Sequence, residues 1–183
     1  MRKRDNVGFT VVELLIVIAV LGLLVTAVIS VINPERQFQN ARNAQRKKDL
    51  RQMAKAVDSY AATYGTYPST GGQWCTTSHA NPAVTSFKLC PSNPNFGLVP
   101  GDLTKLPEDP KPGIGNPNTG SAGCANAGYP SYLYRSDGIN YKILAHCTPE
   151  GASAAQIFSS SDPFYDPNRP LHAWKISTPG ANW

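Results

Sequence analysis

The sequence predicts an α+β fold in which a long N-terminal helix packs on a small antiparallel sheet with disulfide-tied loops. The stretch from Phe9 to Ile32 is predominantly apolar, and Glu13 is its only charged residue. Apolar residues then recur every three or four positions from Glu35 to Tyr64, which is the helical period. Two segments of alternating polarity follow at 131–135 and 141–145. The predicted parts are a basic N-terminal segment (1–8), an apolar helix (9–32), an amphipathic stalk helix (33–65) and a globular head (66–183).

The apolar helix is long enough to cross a membrane, since a helix rises ~1.5 Å per residue and a hydrocarbon core is ~30 Å thick. It exceeds the usual h-region of a secretory signal, and no clear A-x-A cleavage site follows it. A plain single-pass anchor remains the alternative. Glu13 is unusual in either case, because a charge in a membrane helix costs ~2.5–3.5 kcal/mol on insertion scales and usually implies a partner.

One arrangement supplies a partner for Glu13. If the chain is cut between Gly8 and Phe9, the new α-amine of Phe9 lies one helical turn before the carboxylate. The amine can then pair with Glu13 of the same subunit, or with Glu13 of a neighbour in a bundle of identical helices. Neutralising both charges in a low-dielectric setting favours association.

The pattern Gly-Phe-Thr-x-x-Glu-Leu from Gly8, after a short segment with Arg2, Lys3 and Arg4, resembles the prepilin signal of type IV pilins and type II secretion pseudopilins. The resemblance implies a leader (1–8) that a prepilin peptidase removes after Gly8, N-methylation of Phe9, and an assembly role for Glu13. It also implies an inner-membrane precursor, an assembly platform in that membrane, and a helical homo-oligomeric filament.

The distribution of positive charge opposes an orientation with the head outside the cytoplasm. Three Lys/Arg precede the apolar helix and six follow within ~20 residues, so the positive-inside rule places the C-terminal part in the cytoplasm. We set that count aside for two reasons. The cysteines of the head require an oxidising compartment, and the leader resembles one that is cut on the cytoplasmic face.

Pro34 either kinks one long helix or starts a second helix at its first position, with Asn33 as N-cap. Gly22 is a second weak point in the apolar helix. In pili of the family that the motif resembles, the helix is commonly loosened between such residues. Gly65 is a suitable C-cap for the stalk helix, and Pro68 prevents its continuation.

The stalk is strongly basic, with seven Lys/Arg against two acids from Asn33 to Lys55. The part from Ala56 to Trp183 has seven Lys/Arg against eight acids. A row of cations on one helix face is the electrostatic footprint of phosphate contact. The alternative is a solvated face that touches anionic lipid before assembly and acidic groups of neighbouring subunits afterwards. Because stalks lie inside a filament, we expect nucleic acid not to be a partner.

Four cysteines lie in the head without a C-x-x-C pair or zinc-type histidine spacing. An even count in an exported, loop-rich domain indicates two disulfides. Three connectivities are possible, and we favour the neighbouring pairs Cys75–Cys90 and Cys124–Cys147. Further along, Asp137-Gly138 separates the two alternating strands and predicts a hairpin. The tail from Phe158 to Trp183 is expected to add a strand and loops.

No catalytic motif is present, and we expect neither an enzyme nor a cofactor. Pseudopilins have a calcium loop in the region of Asp162, Asp166 and Asn168. The spacing here is not that of an EF-hand, however, and the prolines fit an ordinary turn. We therefore predict no metal site and keep Asp162 and Asp166 as weak calcium candidates.

The combined features favour a structural subunit of a type IV pilus, made at the inner membrane and polymerised into an extracellular filament, where the head sets adhesion. The first alternative is a pseudopilin of a type II secretion system. Short pieces such as Leu106 to Pro110 resemble pseudopilin heads, although Lys111 replaces their Trp and four cysteines are unusual there. A DNA-uptake (competence) pilin and a monomeric anchored domain are lesser alternatives.

Overall fold

The computed structural model describes residues 8–76, 88–89, 106–111, 124 and 131–183. The chain divides into two compact units, the first ending at Phe38 and the second running from Gln39 to Trp183. Each unit is described separately below.

The first unit is dominated by helix α1, which spans Val11–Ile32. Asn33 follows with φ +44°, and helix α2 begins at Pro34. The Arg36 backbone N–H donates to the Asn33 side chain at 3.3 Å, so Asn33 caps a new helix that has Pro34 at its first position. Helix α1 continues through Gly22, whose carbonyl accepts a bond from the Thr26 hydroxyl at 2.9 Å. Loosening at Gly22 during assembly stays a prediction.

Helix α2 spans Pro34–Tyr64 and stops where the sequence indicates. Gly65 adopts φ +77°, a left-handed conformation that favours glycine, and its N–H donates to the Ala61 carbonyl at 2.8 Å. The buried residues of α2 recur every three or four positions and form one face. They are Arg46, Asp49, Leu50, Met53, Ala54, Ala56 and Val57.

In the part of the head that the structure describes, five strands form one sheet in the order β2-β1-β3-β4-β5, which confirms the α+β prediction. All neighbours pair antiparallel except β1 and β2, which are parallel. Strands β3 and β4 form the predicted hairpin, each one residue longer than expected, and β5 is the predicted tail strand. A short helix α3 precedes β5. The bounds are β1 Cys75–Thr76, β2 Lys88–Leu89, β3 Ser131–Ser136, β4 Tyr141–His146, α3 Ala154–Ile157 and β5 Ala173–Ser177.

The two faces of this sheet are both covered. One face, with Tyr132, Tyr134 and Ile143, packs against the buried stripe of α2 and forms the main core with Trp174. Alternate residues of the same strands point the other way, where Leu133, Leu144 and Ala173 pack with Trp74 in a smaller cluster.

The structure contains a disulfide between Cys124 and Cys147, with a Cα–Cα distance of 5.3 Å, which is one of the two pairs favoured from the sequence. Cys75 is also disulfide-bonded. Its expected partner Cys90 lies outside the described residues.

Candidate assembly site

The start of helix α1 holds the residues that the prepilin-type motif singles out. Thr10 is the N-cap, and Gly8 and Phe9 precede it, exposed and outside the helix. Thr10 and Glu13 form a reciprocal capping box. The Glu13 backbone N–H donates to the Thr10 hydroxyl oxygen at 3.3 Å, and the Thr10 N–H donates to Glu13 Oε2 at 2.8 Å. The Thr10 hydroxyl also donates to that oxygen, at 2.9 Å.

The capping box gives Glu13 a role within its own subunit that the sequence analysis missed, although the T-x-x-E spacing that signals it was present. A carboxylate in the first turn satisfies orphan N–H groups and complements the positive end of the helix dipole. The other oxygen, Oε1, has no hydrogen-bond donor among the described residues. The box therefore leaves one carboxylate oxygen for an amine of the kind the motif predicts.

The surface of α1 from Val11 to Val28 is apolar on every side apart from Glu13 and Thr26. Its segment Val11–Val28 has a mean hydropathy of 2.9 over 18 residues and buries none of them, so by length and composition it qualifies as a membrane span. Exposed side chains include Phe9, Leu14, Ile18, Leu21 and Leu24, each more than half exposed. Such a surface is stable only when lipid or other apolar helices cover it.

Within the second unit, the basic residues of α2 bind acids of the head. Arg46 is 1% exposed and donates to both carboxylate oxygens of Asp109, at 2.8 and 2.9 Å. Its Nη1 also donates to Glu150 Oε2 at 3.1 Å and to Asn43 Oδ1 at 3.0 Å. A buried, bidentate guanidinium–carboxylate pair of this type is geometrically specific. It fixes α2 against the segment at 106–111.

The Glu150 carboxylate binds two further cations beside Arg46. Arg42 Nε donates to its Oε2 at 2.6 Å, and Lys111 Nζ to its Oε1 at 3.2 Å. The Asn43 side chain bonds the Glu150 backbone, donating to the carbonyl at 2.6 Å and accepting from the N–H at 2.9 Å. Burial opposes ionisation of Glu150, but the hydrogen bonds from Arg42 and Arg46 outweigh it and hold the pKa below its ordinary value.

Lys47 makes a third contact between α2 and the head. Its ammonium pairs with Asp162 and lies 4.4 Å from the Trp174 ring centroid and 5.4 Å from that of Phe164. Three cations that we expected to face lipid, phosphate or neighbouring subunits are therefore bound within the chain itself: Arg42, Arg46 and Lys47. The sequence analysis did not foresee these partners.

The two calcium candidates are engaged by different lysines. Asp162 pairs with Lys47, whereas Asp166 Oδ1 accepts from the buried Lys142 ammonium at 2.9 Å. Burial lowers the pKa of Lys142, and Asp166 opposes that shift. Among the described residues, no group of three or more His, Cys, Asp or Glu side chains is placed to hold a metal ion.

Comparison with known proteins yields two relatives of one kind. The chain is 29% identical to the type II secretion system core protein G of Pseudomonas aeruginosa over 119 residues, which is 64% of this chain and 74% of that protein. It is 27% identical to the protein of the same name from Aeromonas hydrophila over 117 residues, 64% of this chain and 73% of that protein. No family model matches the chain, and no solved structure matches it. The chain is thus similar to a core protein of type II secretion over a length that must extend well into the head.

Proposed function

We propose that this protein is a pseudopilin, a filament subunit of a type II secretion system. The observation that carries the proposal is the similarity to two core G proteins, because an alignment of 119 residues cannot be confined to the N-terminal helices. The combined sequence features favoured a type IV pilus subunit, although the motif itself is shared by type IV pilins and pseudopilins. The relatives favour the alternative that the sequence analysis placed second.

The proposed mechanism begins with a precursor anchored in the inner membrane by α1. A prepilin peptidase cuts after Gly8, Phe9 is N-methylated, and an assembly platform extracts the subunit from lipid. The exposed apolar surface of α1 supports extraction from lipid into a filament. Transfer into a bundle of identical helices keeps that surface out of water throughout. The charge pair between Glu13 and a neighbour's Phe9 amine then sets the axial position of each incoming subunit.

Two substitutions separate the charge of Glu13 from its capping role. Glu13→Gln retains an oxygen for the Thr10 N–H, since Gln also serves in a capping box, but removes the charge. Glu13→Ala removes both. The charge-pair mechanism predicts that both variants fail to assemble. Assembly is measured by chemical crosslinking of filaments in native cells, with a reagent that does not react with cysteine. Glu35→Gln is the matched control, because it removes an acid just beyond the apolar helix, and it should assemble.

Normal assembly of Glu13→Gln would refute the charge pair and assign Glu13 to helix capping alone. Processing is checked separately by the mass and N-terminal residue of the mature protein. An N-methylated Phe9 is expected, and a chain that still starts at Met1 would overturn the proposal.

A type IV pilus subunit is the second candidate, and the disulfide between Cys124 and Cys147 favours it, because pseudopilin heads usually lack cysteines. Removal of the gene from its native bacterium distinguishes the two. A pseudopilin predicts that exported proteins accumulate in the cell envelope while surface fibres are unchanged. A pilin predicts the loss of surface fibres with secretion intact.

A further inference from the structure

The second face of the sheet contains a buried positive charge. Lys142 lies on β4 between residues that face the main core, so its side chain points to the opposite side, and it is fully buried there. An ammonium group has three N–H donors. Each of them has one oxygen acceptor: Asp166 Oδ1 at 2.9 Å, Asn168 Oδ1 at 3.1 Å and the Trp183 carbonyl at 2.7 Å.

The oxygens around Lys142 are themselves held in place by the tail. Asp166 Oδ1 also accepts from the Asn168 backbone N–H at 3.2 Å, and the Asn168 amide donates to the Asn182 carbonyl at 3.2 Å. Arg169 Nη1 donates to the Trp183 carbonyl at 3.3 Å. Segments 166–169 and 182–183 therefore converge on one cation, which comes from the sheet.

A calcium ion does not fit this cluster. Calcium takes 6–8 oxygen ligands, whereas the described residues place three oxygens around the Lys142 ammonium, one of them from the Asp166 carboxylate. Two positive groups already flank that carboxylate, since Arg169 Nη1 lies 3.6 Å from Asp166 Oδ2. A divalent cation at this point would be repelled by both. The other calcium candidate, Asp162, is occupied by Lys47.

We propose that the Lys142 ammonium is the resident cation of this oxygen cluster and takes the place of the calcium ion that the pseudopilin resemblance implies. The tail of the head is then fixed by a covalently attached cation, and the head folds independently of divalent metal ions. This inference concerns the stability of the head and holds for either kind of filament, so its failure would leave the proposed function intact.

The test is thermal unfolding of the full chain in detergent, followed by tryptophan fluorescence. All three tryptophans, Trp74, Trp174 and Trp183, lie in the head, so the signal reports the head and not the apolar helix. The wild-type midpoint is expected to be the same in EDTA and in millimolar calcium chloride. A midpoint that falls in EDTA or rises with calcium overturns the proposal.

A pair of lysine substitutions tests the role of the ammonium itself. Lys142→Met keeps the length of the stem but leaves Asp166 buried without its cation, and the expected fall in the midpoint is on the order of 10 °C. Lys175→Met is the control, because Lys175 points to the same sheet face from β5 but is only half-buried. Equal midpoints for the two variants overturn the proposal. If Lys142→Met does not fold, the wild-type measurement in EDTA and calcium decides.

Discussion

Arg46 provides the most direct test of how the stalk helix is held to the head. Arg46→Met retains much of the apolar stem but removes the guanidinium that binds Asp109 through two hydrogen bonds. Both side chains are at most 1% exposed. Breaking a buried ion pair by removing one partner costs ~3–5 kcal/mol, because the remaining charge stays buried without compensation.

Part of this loss is offset within the site. The Lys111 backbone N–H still donates to Asp109 Oδ1 at 2.8 Å, and methionine preserves some packing along the helix. We therefore expect a loss of ~3 kcal/mol in the free energy of unfolding, measured by urea denaturation of the full chain in detergent. In a chain of this size that corresponds to a fall in the melting temperature of roughly 6–12 °C.

Two neighbouring cations on the same helix provide graded controls. The Arg42 side chain is 25% exposed in its pair with Glu150, so Arg42→Met should cost ~1 kcal/mol or less. Lys48 is exposed, and Lys48→Met should change stability by less than ~0.5 kcal/mol. If all three variants lose the same stability, burial of the pair does not set its contribution and the reasoning fails. Asp109→Asn combined with Arg46→Met should cost less than the sum of the two single losses.

Two further predictions concern the same part of the head. The folded pKa of Glu150 lies below its ordinary value of 4.5, so its contribution to stability is complete above pH ~4.5 and is lost as the pH falls through the folded pKa. Urea midpoints measured between pH 6 and pH 3 should therefore fall less steeply in Glu150→Gln than in the wild type. The same pH dependence in both proteins would contradict a lowered pKa of Glu150. The disulfide between Cys124 and Cys147 closes a loop with a sequence separation of 23. Replacing both cysteines with alanine should cost ~3 kcal/mol by the chain-entropy argument, and an unchanged urea midpoint would contradict it.

The elements that sequence reasoning found are those whose cause is local. The Asn33-Pro34 boundary, the Gly65 cap and the Asp137-Gly138 hairpin each follow from the conformational preferences of one or two residues. Helix α2 follows from a period that is visible within a few turns. Such features do not depend on what the distant parts of the chain do, so one sequence is sufficient to predict them.

The ion pairs were missed because their partners are far apart in the chain. Arg46 and Asp109 are separated by 63 residues, and Lys47 and Asp162 by 115. Lys142 shows a second reason. Alternation along β4 predicts that Lys142 points away from the main core, which is correct, but a polar residue on that face is normally exposed to solvent. Period-2 patterning separates the two faces of a sheet and does not tell whether a later segment covers the second one.

The same contacts change how the basic stalk should be understood in an assembled filament. Its excess of cations suggested a continuous positive row available to lipid, phosphate or neighbouring subunits. Arg42, Arg46 and Lys47 are instead neutralised by acids of the same head. Where α2 packs on the head, its exposed cations include Lys48, Arg51 and Lys55. Their spacing places them on one face of the helix. Because exposed charges separated by more than about 10 Å are largely screened at ~0.1 M salt, this shorter row acts only on groups that come close to it. In the filament that we propose, we expect acidic side chains of an adjacent subunit to meet that condition, and we expect a nucleic acid, which the surrounding heads would exclude, not to meet it.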